Sequence, residues 1–349
     1  MRAGGGYLDF VPPDSGPLII INDGERTLRG KEGRPLLFSA MAEKIFIPSA
    51  CGGRASCGQC RVRVLSRAYD HVPEERAVLS AGEMARGVHL ACQFRVTEET
   101  RIELPAVSLA ARQYASTVVG IRDLARDMRE VDLDLVEPSR MSFRAGQYVQ
   151  FLRPGSENDP LPLYRAYSVA SAPSRASRLT LLFQQVAGGA CTSYVFDSLR
   201  AGDRLFVNGP FGYFRLTEDA RPVIFVAGGS GIAPIRAILL DMAEKGIDRP
   251  SVFFFSAHAA ADLVYGDDMR VFERLLPSFR FIPVLSRPLP EDRWEGERGG
   301  LPAALSRLLP RLDEHEAYLC GGPGLIDASI NAMKSKGLHD DRIFFDKFS

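Results

Sequence analysis

The strongest constraint on this chain is a run of cysteines. Cys51-Gly-Gly-Arg-Ala-Ser-Cys57-Gly-Gln-Cys60 leaves five residues and then two between thiols, and Cys92 follows in Leu90-Ala91-Cys92-Gln93. Of the six cysteines in 349 residues, these four lie in the first part of the chain, while Cys191 and Cys320 stand alone. The start, MRAGGGYLDFVPPDSG, lacks the charged head and apolar body of an export signal. Clustered thiols then read as metal ligands rather than disulfides. Four thiolates suit a [2Fe-2S] cluster. Gly52, Gly53 and Gly58 let the backbone wrap closely, so that amide N–H groups point at sulfur. Structural zinc is the competing reading, although it usually uses two C-x2-C pairs and only Cys57 and Cys60 have that spacing.

A chain of this length predicts two or three domains. Residues 1–17 are rich in Gly and Pro and read as a loose arm. Residues 18–107 hold short strands, one helix and the cysteine loop, with a link at Ser108–Tyr114. Residues 115–217 read as antiparallel β. Val131-Asp132-Leu133-Asp134-Leu135 alternates with period two, and Tyr148–Leu152, Arg178–Val186 and Arg204–Asn208 are further strands. Gly and Pro punctuate them, which suggests a small barrel. Residues 221–349 change to strand–helix alternation. Val223–Ala227 is a buried strand; Ile235, Ile238, Leu239 and Met242 then line one helix face, and Gly246 stands at its C-cap. Val252–Phe255, Phe281–Leu285 and Tyr318–Cys320 complete a parallel α/β unit.

Lys plus Arg and Asp plus Glu each number 43, so the formal net charge is zero. That argues against a nucleic-acid partner, whose phosphates reward a basic face. No window reaches the roughly 18–20 consecutive apolar residues of a membrane span. A soluble, cytoplasmic protein is the expectation.

Leu36–Cys60, a helix followed by Ile45-Phe46-Ile47-Pro48 and the cysteine loop, resembles the β-grasp ferredoxin module of NADH-dependent reductases. Arg165-Ala166-Tyr167-Ser168 resembles the R-x-Y-S signature of the ferredoxin-NAD(P)+ reductase type of flavin barrel. The resemblance implies that Arg165 pairs with the flavin pyrophosphate, Tyr167 lies beside the isoalloxazine and Ser168 bonds near N5. Gly188-Gly189-Ala190-Cys191-Thr192-Ser193-Tyr194 is the second signature. It opens an expected helix, Thr192–Leu199, whose start suits a pyrophosphate. Gly209-Pro210-Phe211-Gly212 is similar to the turn that ends the family's barrel.

Gly228-Gly229-Ser230-Gly231-Ile232-Ala233-Pro234 is a glycine-rich turn between strand and helix, where a dinucleotide approaches the backbone. Cys320-Gly321-Gly322-Pro323 resembles the family's C-G-x-P motif near the nicotinamide, and Phe348 is the candidate C-terminal aromatic over the flavin. Ser256–Asp262 lacks an Arg, and Asp262 would repel a 2′-phosphate, which favours NADH; His258 is a candidate contact for the adenosine.

These motifs together imply a multidomain protein: a β-grasp ferredoxin domain (α+β), an antiparallel β-barrel for FAD and a parallel α/β domain for NAD. The implied cofactors are a [2Fe-2S] cluster, FAD and NADH, with Ser168, Cys320 and Phe348 at the reacting atoms. The five-residue first gap and Pro288–Gly296 are similar to the flavin and iron–sulfur component of the bacterial sodium-translocating NADH:quinone reductases. Reductase components of multicomponent oxygenases share the module order. An electron-acceptor protein or complex is the expected partner. A non-catalytic redox sensor is the alternative from another class.

Overall fold

The computed structural model describes residues 16–155 and 163–348. The expected arm therefore lies, except for its last two residues, outside the described residues.

Strands β1 (Leu18–Ile21), β2 (Arg26–Arg29), β3 (Arg61–Val64), β4 (Val88–Leu90) and β5 (Thr100–Glu103) form the first sheet, in the order β2-β1-β5-β3-β4. β1 runs parallel to β5 and the other neighbours are antiparallel. Ile19, Ile21, Val62, Val64 and Ile102 form one core with Leu36, Leu37 and Ala40 of helix α1 (Leu36–Ala42). This is a β-grasp sheet. The sequence predicted one helix here; the structure adds α2 (Pro73–Arg76) and α3 (Ala81–Ala85). Helix α4 (Ala106–Ala110) also occupies the end of this region and the start of the expected link. Helices of four or five residues are too short to show an apolar stripe, so periodicity passes over them.

The second sheet is antiparallel, with β6 (Arg112–Ala125), β7 (Met128–Glu137), β8 (Tyr148–Arg153), β9 (Leu163–Ser168), β10 (Arg178–Gln184) and β11 (Arg204–Phe211) in the order β10-β7-β6-β11-β8-β9. A bridge between Val169 and Leu181 joins its two outer edges. Val131, Leu133, Val149, Phe151, Leu181, Phe183 and Val207 fill the interior. Gly209–Gly212 is not a simple terminal turn. β11 runs on to Phe211, with a register shift after Asn208, because Phe211 is fully buried and pairs with Tyr148. The expected helix Thr192–Leu199 is instead one turn, α5 (Ala190–Ser193), continued by a π turn over Tyr194–Ser198.

The third sheet is wholly parallel: β12 (Val223–Gly228), β13 (Ser251–Ala257), β14 (Phe279–Leu285), β15 (Glu297–Arg298), β16 (Glu316–Gly321) and β17 (Ile343–Lys347), ordered β15-β14-β13-β12-β16-β17. Alternate residues of β12 serve opposite cores. Val223, Phe225 and Ala227 meet α6 (Ile232–Lys245) and α7 (Gly266–Leu275), while Ile224 and Val226 meet α8 (Leu301–Leu308) and α9 (Pro323–Lys334). Helix α6 starts at Ile232, ahead of the expected Ile235. Pro234 thus sits in its first turn, where no N–H is needed. Among the described residues, no helix is long and apolar enough to cross a membrane.

Candidate functional site

The cysteine loop places four sulfurs in two pairs. Cys57 and Cys51 lie 3.4 Å apart, and Cys60 bonds Cys92. Hydrogen bonds from the Cys57 thiol and from the backbone N–H groups of Cys57, Ser56 and Arg54 hold Cys51 well below the usual thiol range against the opposing effect of burial. Cys60 lowers Cys92 in the same way, while Cys57 and Cys60, as the donors, are pushed up. A tetrahedral zinc about 2.3 Å from each sulfur would draw all four into one group. Among the described residues, no three of these sulfurs gather within 4.8 Å of one another. Two pairs fit a two-iron cluster instead. Cys51, Cys60 and Cys92 are buried and Cys57 is half-buried.

His71, Glu75 and His89 form a separate group of potential ligands. Glu75 is already bonded by His89 Nδ1 at 3.2 Å and by the N–H groups of Val72 and Leu90. The two imidazoles stack 4.1 Å apart at 2°, so their in-plane lone pairs share no common point. The group braces β4, which leads to Cys92.

β9 carries Arg165, Ala166, Tyr167 and Ser168 directly beneath the cysteine loop. A Cβ on Gly52, whose φ is +67°, would collide with the Arg165 guanidinium and the Tyr164 carbonyl. Only glycine allows the loop to lie this close. The Tyr167 hydroxyl donates to Cys191 Sγ at 3.4 Å, and its ring packs on Phe151 and Phe183. Arg165 and a second guanidinium, Arg153, both act on Cys191 electrostatically, so both lie near it. Thr192 closes its own turn, bonding the Gly189 carbonyl at 3.0 Å. Two guanidiniums near one helix start match the charge of a pyrophosphate. Sequence reasoning missed Arg153; a lone Arg in the otherwise apolar end of Tyr148–Arg153 is the signal.

The two nicotinamide motifs meet backbone to backbone. A Cβ on Gly231 would strike the Cys320 carbonyl and the Gly321 nitrogen. Ser230 N–H bonds Gln184 Oε1 at 3.3 Å, tying this turn to the barrel. Cys320 is fully buried, and burial pushes its thiol up, with Asp346 adding to the shift. Asp346, opposite Cys320 on β17, is itself raised to about 7 by burial. Phe348 N–H bonds the Gly321 carbonyl at 2.8 Å, and its ring packs on the core around α6. Sequence reasoning also missed Gln184 and Asp346. An acid in the apolar run Ile343–Lys347 was the signal for the latter.

Three family models match in order. They are a 2Fe-2S iron-sulfur cluster binding domain over 19–97, an oxidoreductase FAD-binding domain over 115–216 and an oxidoreductase NAD-binding domain over 225–330. The reductase subunit of an aromatic O-demethylase from Amycolatopsis is 33% identical, with 95% of this chain and 98% of that protein covered. The chain belongs to the NADH-dependent flavin and iron–sulfur reductase family.

The phenol hydroxylase P5 protein of Acinetobacter pittii is 32% identical over 92% of this chain and 91% of that protein. A component of the Na(+)-translocating NADH-quinone reductase of Neisseria meningitidis is 31% identical over 95% and 92%. Among solved structures, the Amycolatopsis cytochrome P450 reductase GcoB superposes with a TM-score of 0.77 at 31% identity, covering 95% of this chain and 98% of that one. The family's three cofactors are thus a [2Fe-2S] cluster, FAD and NAD, and the chain is an NADH-dependent oxidoreductase with electron-transfer partners.

Proposed function

We propose that this chain is the reductase component of a cytoplasmic oxygenase system, delivering single electrons from NADH to an oxygenase-type acceptor protein. When bound, the flavin accepts a hydride from NADH, and the cluster relays its electrons one at a time. Cys51 and Cys57 would hold one iron, and Cys60 and Cys92 the other. Arg165 and Arg153 would grip the flavin pyrophosphate, together with the turn Gly189, Cys191, Thr192 and Ser193. Ala166 and Tyr167 would line the ring, and the Ser168 hydroxyl would face its reacting edge. Gly228, Gly229, Ser230, Gly231 and Pro234 would admit the dinucleotide. Cys320, Gly321, Pro323 and Phe348 would shape the nicotinamide pocket, with Asp346 beside Cys320.

One observation carries this reading: the strand bearing Arg165 and Ser168 lies against the cysteine loop at Gly52. Its partner strand brings Tyr148 under the electrostatic influence of Asp346. These two contacts support a reading in which the three cofactor regions converge on one end of the barrel. The preference for NADH has a physical basis beyond the missing Arg. Asp262 bonds Ala259 N–H at 3.0 Å and Asp292 bonds Ala260 N–H at 3.2 Å, which places two carboxylates on the turn after β13. They would repel a 2′-phosphate. The oxygenase assignment rests on the aromatic O-demethylase and phenol hydroxylase relatives.

The test is Cys57→Ala. NADH oxidation with ferricyanide should persist, since flavin reduction needs no iron, while reduction of cytochrome c should be lost. Equal loss of both would overturn the proposed order of centres. Faster reduction of a short-chain ubiquinone than of cytochrome c by the wild-type protein would move the acceptor from oxygenase to quinone.

A further inference from the structure

Tyr148 stands opposite Ser168 in the β8–β9 pairing and is 4% exposed. Its hydroxyl donates to Gln59 Oε1 at 2.6 Å, a bond spanning 89 positions of sequence. Gln59 lies between Cys57 and Cys60, which belong to different sulfur pairs. We propose that Tyr148 is a positioning residue: through Gln59 it anchors the cysteine loop at a fixed separation from Ser168 and so sets the rate of electron transfer between the two modules. This rests on the reading given under Proposed function.

The geometry leaves the hydroxyl little freedom. The Tyr148 ring packs 5.6 Å from Phe211, and a Cβ on Gly212 would press against it at 3.1 Å. Burial holds the phenol far above its ordinary pKa, helped by Asp346 and the cluster cysteines, so it remains a donor. At 2.6 Å the contact is at the short end for O–H···O. Another long-range polar bond on this seam, Gln150 Nε2 to the Ile47 carbonyl at 3.1 Å, lies outside the cysteine loop. Gly58, at φ +64°, turns the backbone between Cys57 and Gln59; Arg61 bonds its carbonyl and Ala91 N–H bonds the Cys60 carbonyl, and Tyr148 adds a hold on Gln59 from the barrel. Tunnelling falls steeply with separation, so a shifting loop slows transfer without touching hydride chemistry. Each NADH gives up two electrons and the iron pair takes one, so the crossing is made twice per hydride.

The experiment compares full-length Tyr148→Phe, Gln59→Leu and the double variant, with iron, sulfide and flavin counted in each. Anaerobic bleaching of the flavin by NADH should keep its wild-type rate. The subsequent one-electron reduction of the cluster, followed by freeze-quench electron paramagnetic resonance, should slow severalfold. Residues 57–60 should exchange amide hydrogen faster, and the cluster signal should broaden, neither of which depends on turnover. The double variant should be no slower than either single one, as expected for one shared bond. Unchanged cluster reduction and unchanged exchange in both single variants would overturn the proposal. So would additive slowing in the double variant. If Tyr148→Phe fails to fold, Gln59→Leu carries the same test from the opposite side of the bond. Colourless wild-type protein would strike instead at the functional reading itself.

Discussion

The flavin barrel meets its two neighbours through different chemistry. Toward the cysteine loop, Met41, Phe46, Tyr148, Leu152, Tyr164 and Phe211 form a small apolar cluster, crossed by hydrogen bonds from Tyr148 to Gln59 and from Gln150 to the Ile47 carbonyl. Toward the parallel sheet, Met128, Ala145, Ala170, Leu182 and Phe214 join the neighbour's core, but charge surrounds them. Arg236 bonds Asp268 at 2.6 Å and the Ala170 carbonyl at 2.7 Å, and Glu130 accepts the Tyr265 hydroxyl at 2.7 Å. Thr217 bonds Glu316, whose carboxylate pairs with the buried Arg249 at 2.8 Å. A cleft of about 410 Å3 opens beside Arg122, Glu130 and Arg236. The first seam is mainly apolar and is crossed by hydrogen bonds between uncharged groups, with the Arg165 guanidinium beside it at Gly52. The second carries ion pairs, of which Arg249–Glu316 is buried while Arg236–Asp268 is partly open to water and salt.

The contrast breaks first at its most buried charge. Glu316→Ala strands Arg249 without its ionic partner and should cost about 3–5 kcal/mol, read as a lower urea midpoint for the region of the parallel sheet. Phe46→Ala tests the apolar seam. It should cost about 3 kcal/mol, and the loss should be the same at low and high salt. A salt-dependent loss would erase the distinction between the seams. Tyr265→Phe removes one hydroxyl and should cost about 1 kcal/mol, with the NAD-side contact loosening as seen by hydrogen exchange.

A further prediction concerns pH. The Asp346 carboxyl is raised from 3.8 to about 7 by burial. As pH rises through that window, the unfolded state ionises and the folded state resists, so stability present at low pH is lost toward neutrality. Asp346→Asn should flatten the pH dependence of the denaturation midpoint between these values. An unchanged profile would place the carboxylate in water.

Much of this molecule was legible because some residues limit the backbone directly. The thiol spacing, the run Gly228–Gly231 and the alternation of Val131–Leu135 each act over a few residues, and each stands where the sequence placed it. The short helices and the continuation of β11 through Phe211 were not legible. Neither has a period, and a buried ring carries the strand past its glycine. Arg153, Gln184 and Asp346 were missed for a related reason: a single polar residue in an apolar strand does not say which cavity it faces.

The four thiols, the order of the three modules and the local turns follow from the amino-acid order alone, because spacing and glycine content act on neighbouring residues. Which turns meet is settled by the folded chain: Gly52 against Arg165, Gly231 against Cys320, and Tyr148 on Gln59. Those contacts depend on how apolar faces far apart in the chain pack together, and hydrophobic pattern alone leaves many such packings open.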